Sequence, residues 1–340
     1  MKQLRNIVFI GALLITPLIS SAQLVSEPVQ YLVAPETPGP NEQVVIKIEG
    51  VGTFLGDSTI TWRENGSIKL TGVGERTYRF VTGALGSQTS ITVSINSASQ
   101  GLIERSLLFR PSVVNLIWEA DTTAPLFYRG KPLYSAGAEL KVVAFPTVII
   151  NKSLVAPQSL SFQWSRGDEP APDQSGLGRN TFSFTGDQLQ NAETVSVDVY
   201  FGTARVGHGR ITIPAQDPLI LLYSRDPLRG EIVDTAFPGA ISLLAKEITI
   251  QAEPYFFSRN SGAAGLLGYT WTLNNEEIVG PESARGLLTL RQTGEGGGGA
   301  TLQVNVQNND PDKLVQAAQA GVEIIFGASA SSALSSFFGL

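Results

Sequence analysis

Ile60-Thr61-Trp62-Arg63-Glu64-Asn65-Gly66, Phe162-Gln163-Trp164-Ser165-Arg166-Gly167-Asp168 and Tyr269-Thr270-Trp271-Thr272-Leu273-Asn274-Asn275 are three versions of one block. Each reads apolar, polar, Trp, polar, then a turn. The tryptophans stand 102 and 107 residues apart. Outward from each Trp the same neighbours recur. Upstream is an alternating stretch: Val44-Ile46-Ile48, Leu140-Val142-Ala144 and Ile248-Ile250-Ala252. Downstream come Tyr78-x-Phe80, Phe182-x-Phe184 and Leu288-x-Leu290, then Ile91-Val93-Ile95, Val195-Val197-Val199 and Leu302-Val304-Val306. A period of two puts one face of a strand in a core and the other in water, the pattern of antiparallel sheets. Glycines at 72, 74, 176, 178, 294 and 296–299 break the chain between strands. Asp310-Pro311-Asp312 resembles a helix start, but in the repeat frame Lys313 to Ala320 falls on the return arm of a hairpin and is expected as strand.

Short strands with frequent turns, in units of about 100 residues, predict an all-β chain of three tandem immunoglobulin-like antiparallel β-sandwiches. Trp62, Trp164 and Trp271 are the expected core anchors, since an indole buries about 150–250 Å² and can organise a small core. No cysteine is present to tie the sheets, so aliphatic packing around the indole must do so. The expected organisation is a signal peptide over 1–22, sandwiches over 23–111, 112–215 and 216–326, and an apolar, Ser-rich tail over 327–340. Lys2 and Arg5, the apolar run from Ile7 to Ile19, and Ser20-Ser21-Ala22 form the three parts of an export signal. The destination would be extracellular, the cell surface, or the periplasm where there are two membranes.

The Trp blocks are similar to the strand-turn of bacterial polycystic-kidney-disease-type (PKD-like) and related immunoglobulin-like domains, which commonly show Tyr-x-Trp-x-Phe-Gly-Asp-Gly. Tyr269 and Trp271 carry the match in the third unit, and Phe162, Trp164, Gly167 and Asp168 in the second. The first keeps only Trp62. The resemblance implies a spacer, adhesion or assembly module of exported surface proteins, and it carries no catalytic residues.

Composition narrows function further. The 340 residues carry a net charge of −6, one histidine and no cysteine. Thiolate zinc sites, disulfides, cysteine nucleophiles and multi-histidine metal sites are excluded. An acidic chain without basic clusters lacks a nucleic-acid footprint. His208 has no Gly-x-Ser-x-Gly element to serve, and the adjacent carboxylates Asp168-Glu169 and Glu276-Glu277 sit in turns, pointing to opposite faces. No enzyme and no cofactor are expected. Calcium is weighed at the unit junctions, near Glu119, Asp121, Asp217, Asp226 and Glu231, but no Asp-x-Asp-x-Asp-Gly run supports it.

Binding candidates are aromatic: Trp118, Tyr128, Tyr134, Tyr223 and Tyr255, near unit openings or before a Trp strand. Exposed, they would stack on sugars or grip a protein; buried, they would be junction packing. From Ile324 the chain is uncharged to Leu340, which suits a docking tail, with membrane contact as the alternative. Linkers of a few residues, each with a proline, favour an elongated monomer or part of a larger assembly. Two functions remain open: a non-catalytic structural or adhesive rod, for example in a pilus or envelope assembly, with a protein or glycan partner at the cell surface; or a carbohydrate-binding module or accessory part of a polysaccharide-degrading system.

Overall fold

The computed structural model describes residues 29–50, 54–243, 246–259, 267–294, 297–311 and 316–326. The segments proposed as signal peptide and tail lie outside these residues. Seven strands recur in each unit in one order. The opening strands are Val29–Ala34, Val113–Ala120 and Leu219–Asp226; the second strands are Gln43–Gly50, Glu139–Thr147 and Glu247–Tyr255. The Trp strands are Thr59–Glu64, Ser161–Arg166 and Leu267–Leu273, each followed by a short side strand, Ser67–Val73, Glu169–Pro170 or Glu276–Ile278. A crossing strand follows (Thr77–Val81, Thr181–Thr185, Leu287–Arg291). Penultimate strands (Thr89–Ser97, Ala192–Phe201, Gly298–Asn308) and last strands (Gly101–Phe109, Ala204–Pro214, Ala317–Phe326) complete the unit. One sheet is opening–second–crossing; the other is side–Trp–penultimate–last. Three antiparallel immunoglobulin-like sandwiches result, each with its own core.

The alternation in the sequence explains the layering. Val44, Ile46 and Ile48 face Ile91, Val93 and Ile95 across the first core, and the corresponding rows do so in the other two. Turn chemistry fixes the register beside the first and third Trp strands. Asn65 and Gly66 have φ of 49° and 83°, and Asn274 and Asn275 have 49° and 69°. Two successive positive φ values are what a tight two-residue hairpin turn demands. Asn65 and Asn274 also accept, through Oδ1, a backbone N–H from Ser90 and Thr301, both at 2.9 Å.

All three indoles occupy one environment. Trp62, Trp164 and Trp271 are 0, 1 and 0% exposed. Each donates its ring N–H to a carbonyl lying between the side and crossing strands: Glu75 (2.8 Å), Arg179 (2.8 Å) and Ser283 (3.2 Å). The first two stack on the aromatic of the crossing strand, Tyr78 at 5.3 Å and Phe182 at 5.6 Å between ring centres. In the third unit Leu288 takes that place.

Lys313 to Ala320 runs partly outside the described residues, and the last strand of the third unit begins at Ala317. That unit also has an element with no counterpart in the others. Ala240–Leu243 adds to the outer edge of the last strand, parallel, pairing with Glu323 to Phe326. The second unit carries its own insertion, the small hairpin Ile149–Ile150 and Ser153–Leu154.

Candidate interaction surfaces at the unit junctions

Successive sandwiches are joined by more than their linkers. Between the first and second units, Ser112 N donates to Pro38 O at 3.2 Å, and Arg205 pairs with Glu36. Ile149 of the inserted hairpin lies so close to Gly86 that a Cβ there would sit 3.2 Å from Ile149 Cγ2.

The second junction is built more densely. After its opening strand, the second unit sends a loop (121–136) onto the third. Thr123 N donates to Phe257 O (2.6 Å), Phe256 N to Thr123 O (2.7 Å) and Arg259 N to Asp121 O (3.0 Å). Phe257 N donates to Thr123 Oγ1 at 3.0 Å. With the Thr122–Ser258 bridge this is a short antiparallel ladder between two sandwiches. Phe256 holds φ at +64°, a conformation costing a bulky residue about 1–3 kcal/mol, and the ladder on both sides of it holds the backbone there.

Gln316, at the foot of the last strand of the third unit, locks the same contact. Its side chain is 1% exposed and uses its full hydrogen-bonding capacity. Oε1 accepts from Ser258 N (2.8 Å) and Asn308 Nδ2 (3.1 Å); Nε2 donates to Ser135 Oγ (3.1 Å) and Ala136 O (2.8 Å). The last two partners belong to the second unit. A buried amide satisfied on every side fixes position rather than merely filling space.

The candidate aromatics are placed by this junction. Tyr223 and Tyr255 are both buried and share a hydroxyl hydrogen bond of 2.9 Å. Phe127 meets Tyr223 edge-on at 5.3 Å, and the half-buried Tyr128 meets Tyr255 at 5.6 Å and Phe256 at 5.9 Å. Burial, and then the Tyr223 hydroxyl, push the Tyr255 phenol well above its ordinary pKa. Tyr134 is fully buried in the second unit beside Glu193. For Tyr134, Tyr223 and Tyr255 the stacking role is therefore corrected: their ring faces are taken by protein, so no sugar can lie on them. Trp118 is half-buried in the inward row of its strand with Val114 and Leu116, and the Lys131 ammonium sits 3.1 Å from its ring centre. That cation–π contact covers one face of the indole.

Ionisable groups are organised locally. Glu193 is 1% exposed and takes a two-pronged pair from Arg166, Nε to Oε2 at 2.8 Å and Nη2 to Oε1 at 2.7 Å. Asp187 N also donates to Glu193 Oε1 at 2.6 Å. Tyr134 is held well above its ordinary pKa by burial and then by the Glu193 charge. His208 lies directly across from Asp198 on paired strands, with Nδ1 2.7 Å from Asp198 Oδ1 and Arg205 Nη2 3.3 Å away. Its partners are thus ionic and not a hydroxyl nucleophile. In the third unit the Glu253 carboxyl is pushed up to about 7, first by burial and then by Glu231, with Arg225 opposing. None of these signals is visible in sequence, because each depends on which strands pair.

Among the described residues no three carboxylate or histidine side chains gather as a metal-ligand set, Glu119, Asp121, Asp217, Asp226 and Glu231 included. No helix among them is long and apolar enough to cross a membrane.

No protein-family model and no curated protein matches the chain. Solved structures similar to it include three N-terminal domains of the highly immunogenic outer capsid protein of bacteriophage RB49. That match has 12% identity and a TM-score of 0.25, covering 88% of this chain and 99% of that one. The central fibronectin-III array of RIM-binding protein is similar at 10% identity and a TM-score of 0.31, over 89% and 98% of the two chains. A Bacteroides ovatus protein, SGBP-B of a mixed-linkage glucan utilization locus, solved with a heptasaccharide, matches at 10% identity and a TM-score of 0.22, over 88% and 70%.

Proposed function

We propose that this chain is an exported, non-catalytic structural or adhesive protein: three sandwich modules in a stiff rod, presenting loops and a docking segment within an envelope or pilus-type assembly. The observation that carries the reading is the second junction, where the 121–136 loop, the Thr123 ladder and the Gln316 carboxamide tie two sandwiches together. At this junction the buried Gln316 carboxamide and Ser135 hydroxyl are spent on holding two modules in a fixed relation. The burial of the tyrosines supports the same reading over carbohydrate binding, since the rings that would serve a sugar serve the joint. Protein partners are the favoured class, met through loops and strand edges.

Small-angle scattering of the purified chain, extrapolated to zero concentration, tests this. An elongated particle is expected, with one maximum dimension unchanged by ionic strength. A compact particle, or one whose dimension spreads as between flexible beads, would overturn the rod. Binding on a glycan array that is lost on Trp118→Ala would favour the carbohydrate reading instead.

A further inference from the structure

The seam between the opening and last strands differs among the three units. In the third, Ala240–Leu243 fills it as an added parallel strand, and beneath that strand Val322 and Ile324 of the last strand are fully buried. In the second, the opening strand lies directly on the last. A Cβ at Gly207 would meet Val114 Cγ2 at 2.7 Å, and one at Gly209 would meet Val114 Cγ1 at 2.9 Å, so both positions must lack one. Further along the opening strand, Trp118 packs against the same core with Lys131 over its ring.

In the first unit, among the described residues, nothing fills the seam. At the end of the seam nearest the second unit, a groove of about 320 Å³ lies between Tyr31 and Val33 on one side and Leu107 and Leu108 on the other, bounded by Glu36 and by Ala204 to Val206 of the second unit. Of the nine residues in the last strand, Gly101–Phe109, only Phe109 is buried. Leu102 and Leu108 are 69% and 50% exposed. Among the described residues this strand pairs with Thr89–Ser97 alone, so its other edge offers backbone donors and acceptors beside a partly apolar trough. A long, exposed edge of this kind, with Leu102, Leu107 and Leu108 along it, is a template for strand addition.

We infer that this seam is a strand-acceptor site, and that its occupant is the 327–340 segment of a second copy of the chain, laid parallel to Gly101–Phe109. The inference rests on the assembly reading above. Ala240-Ile241-Ser242-Leu243, which fills the equivalent seam in the third unit, is uncharged and mixes small, apolar and serine residues. Residues 327–340 have the same character: no charge, five serines, and Leu334, Phe337, Phe338 and Leu340 as apolar groups. An uncharged strand can pair along the edge without setting a charge against the exposed Glu104 and Arg105. At about 3.3 Å per residue, a nine-residue edge needs about 30 Å of strand, which fourteen residues supply. The segment follows directly on the last strand of the third unit, whose own seam is occupied, while the second unit lies between it and the first. A second copy therefore provides it, and a head-to-tail contact that does not close on itself builds a filament.

Sedimentation velocity of the full chain over a concentration series is the test. The wild-type chain is expected to form progressively larger oligomers. Leu108→Arg, at a solvent-facing position, and the double variant Phe337→Asp/Phe338→Asp are each expected to sediment as monomers with unchanged circular dichroism. Mixed, they should give a one-to-one dimer and nothing larger, because one supplies the segment and the other the groove. A wild-type chain that stays monomeric up to about 100 µM overturns the inference. So does association that survives Leu108→Arg. Loss on Leu108→Arg but not on the double variant would mean that two Gly101–Phe109 edges pair with each other, and overturns it too. Scattering from the monomeric Leu108→Arg chain reports the rod separately, so failure of one reading is distinguishable from failure of the other.

Discussion

Gln316 and Ser135 come from different sandwiches, 181 residues apart in the chain, yet the Gln316 amide nitrogen donates to the Ser135 hydroxyl at 3.1 Å inside a buried junction. The same nitrogen reaches Ala136 O, so one side chain carries two of the bonds between the units. Gln316→Ala strands Ser258 N and Ala136 O without partners, and each buried polar group left unpaired costs about 1–3 kcal/mol. Hydrogen exchange at the Thr123 and Phe257 amides is expected to accelerate at least tenfold, while amides in the first unit keep their rates. Unchanged exchange at both amides would show that the carboxamide does not hold the joint.

Trp164→Ala removes the indole from the second core and is expected to cost about 3–5 kcal/mol. Trp164→Phe keeps most of the apolar area but leaves Arg179 O without its donor, so a smaller loss of about 1–3 kcal/mol is expected. Chemical denaturation followed by tryptophan fluorescence from the other units would show whether the loss stays within the second unit.

Arg166→Met leaves Glu193 as a buried charge with only Asp187 N and Tyr134 OH to meet it. Breaking such a pair costs about 3 kcal/mol even with the arginine partly exposed. Adding Glu193→Gln removes the stranded charge, and the double variant should be more stable than Arg166→Met alone. A double variant as unstable as the sum of the two single changes would contradict this account of the pair.

Glu253 gives the third unit a pH dependence of defined sign. Its folded carboxyl is pushed up to about 7, against an ordinary value of 4.5, by burial and then by Glu231. A raised acid binds its proton more tightly in the native state, so its stabilising contribution is complete below the unfolded pKa and is lost as pH rises through 7. The melting temperature of the third unit should fall between about pH 5 and pH 8, and Glu253→Gln should flatten that fall. Calorimetry across the range settles it; a transition that strengthens with rising pH would contradict the assignment.

The sandwich plan was legible because its signals are local. Alternation at Ile91-Val93-Ile95, the Asn65-Gly66 turn and the Tyr78-x-Phe80 partner of Trp62 all lie within about thirty residues of one another, and periodicity reports them directly. What joins the units is non-local. Thr122 meets Ser258, and Gln316 meets Ser135, by pairings that no period encodes. Tyr223 and Tyr255 stood out as aromatics in the sequence, but a ring that packs a joint and a ring that binds a ligand have the same letter. Ala240–Leu243 was missed for a related reason: four residues are too few to show alternation, and their parallel partner lies at the far end of the unit.

The absence of cysteine makes the central claim, a fixed relation between successive sandwiches, directly measurable. Leu189→Cys in the second unit and Val279→Cys in the third are both on solvent-facing residues and become unique spin-label sites. Pulsed electron–electron double resonance between them should give one narrow distance distribution, which broadens on Gln316→Ala. A broad distribution in the otherwise unaltered chain would contradict a locked junction.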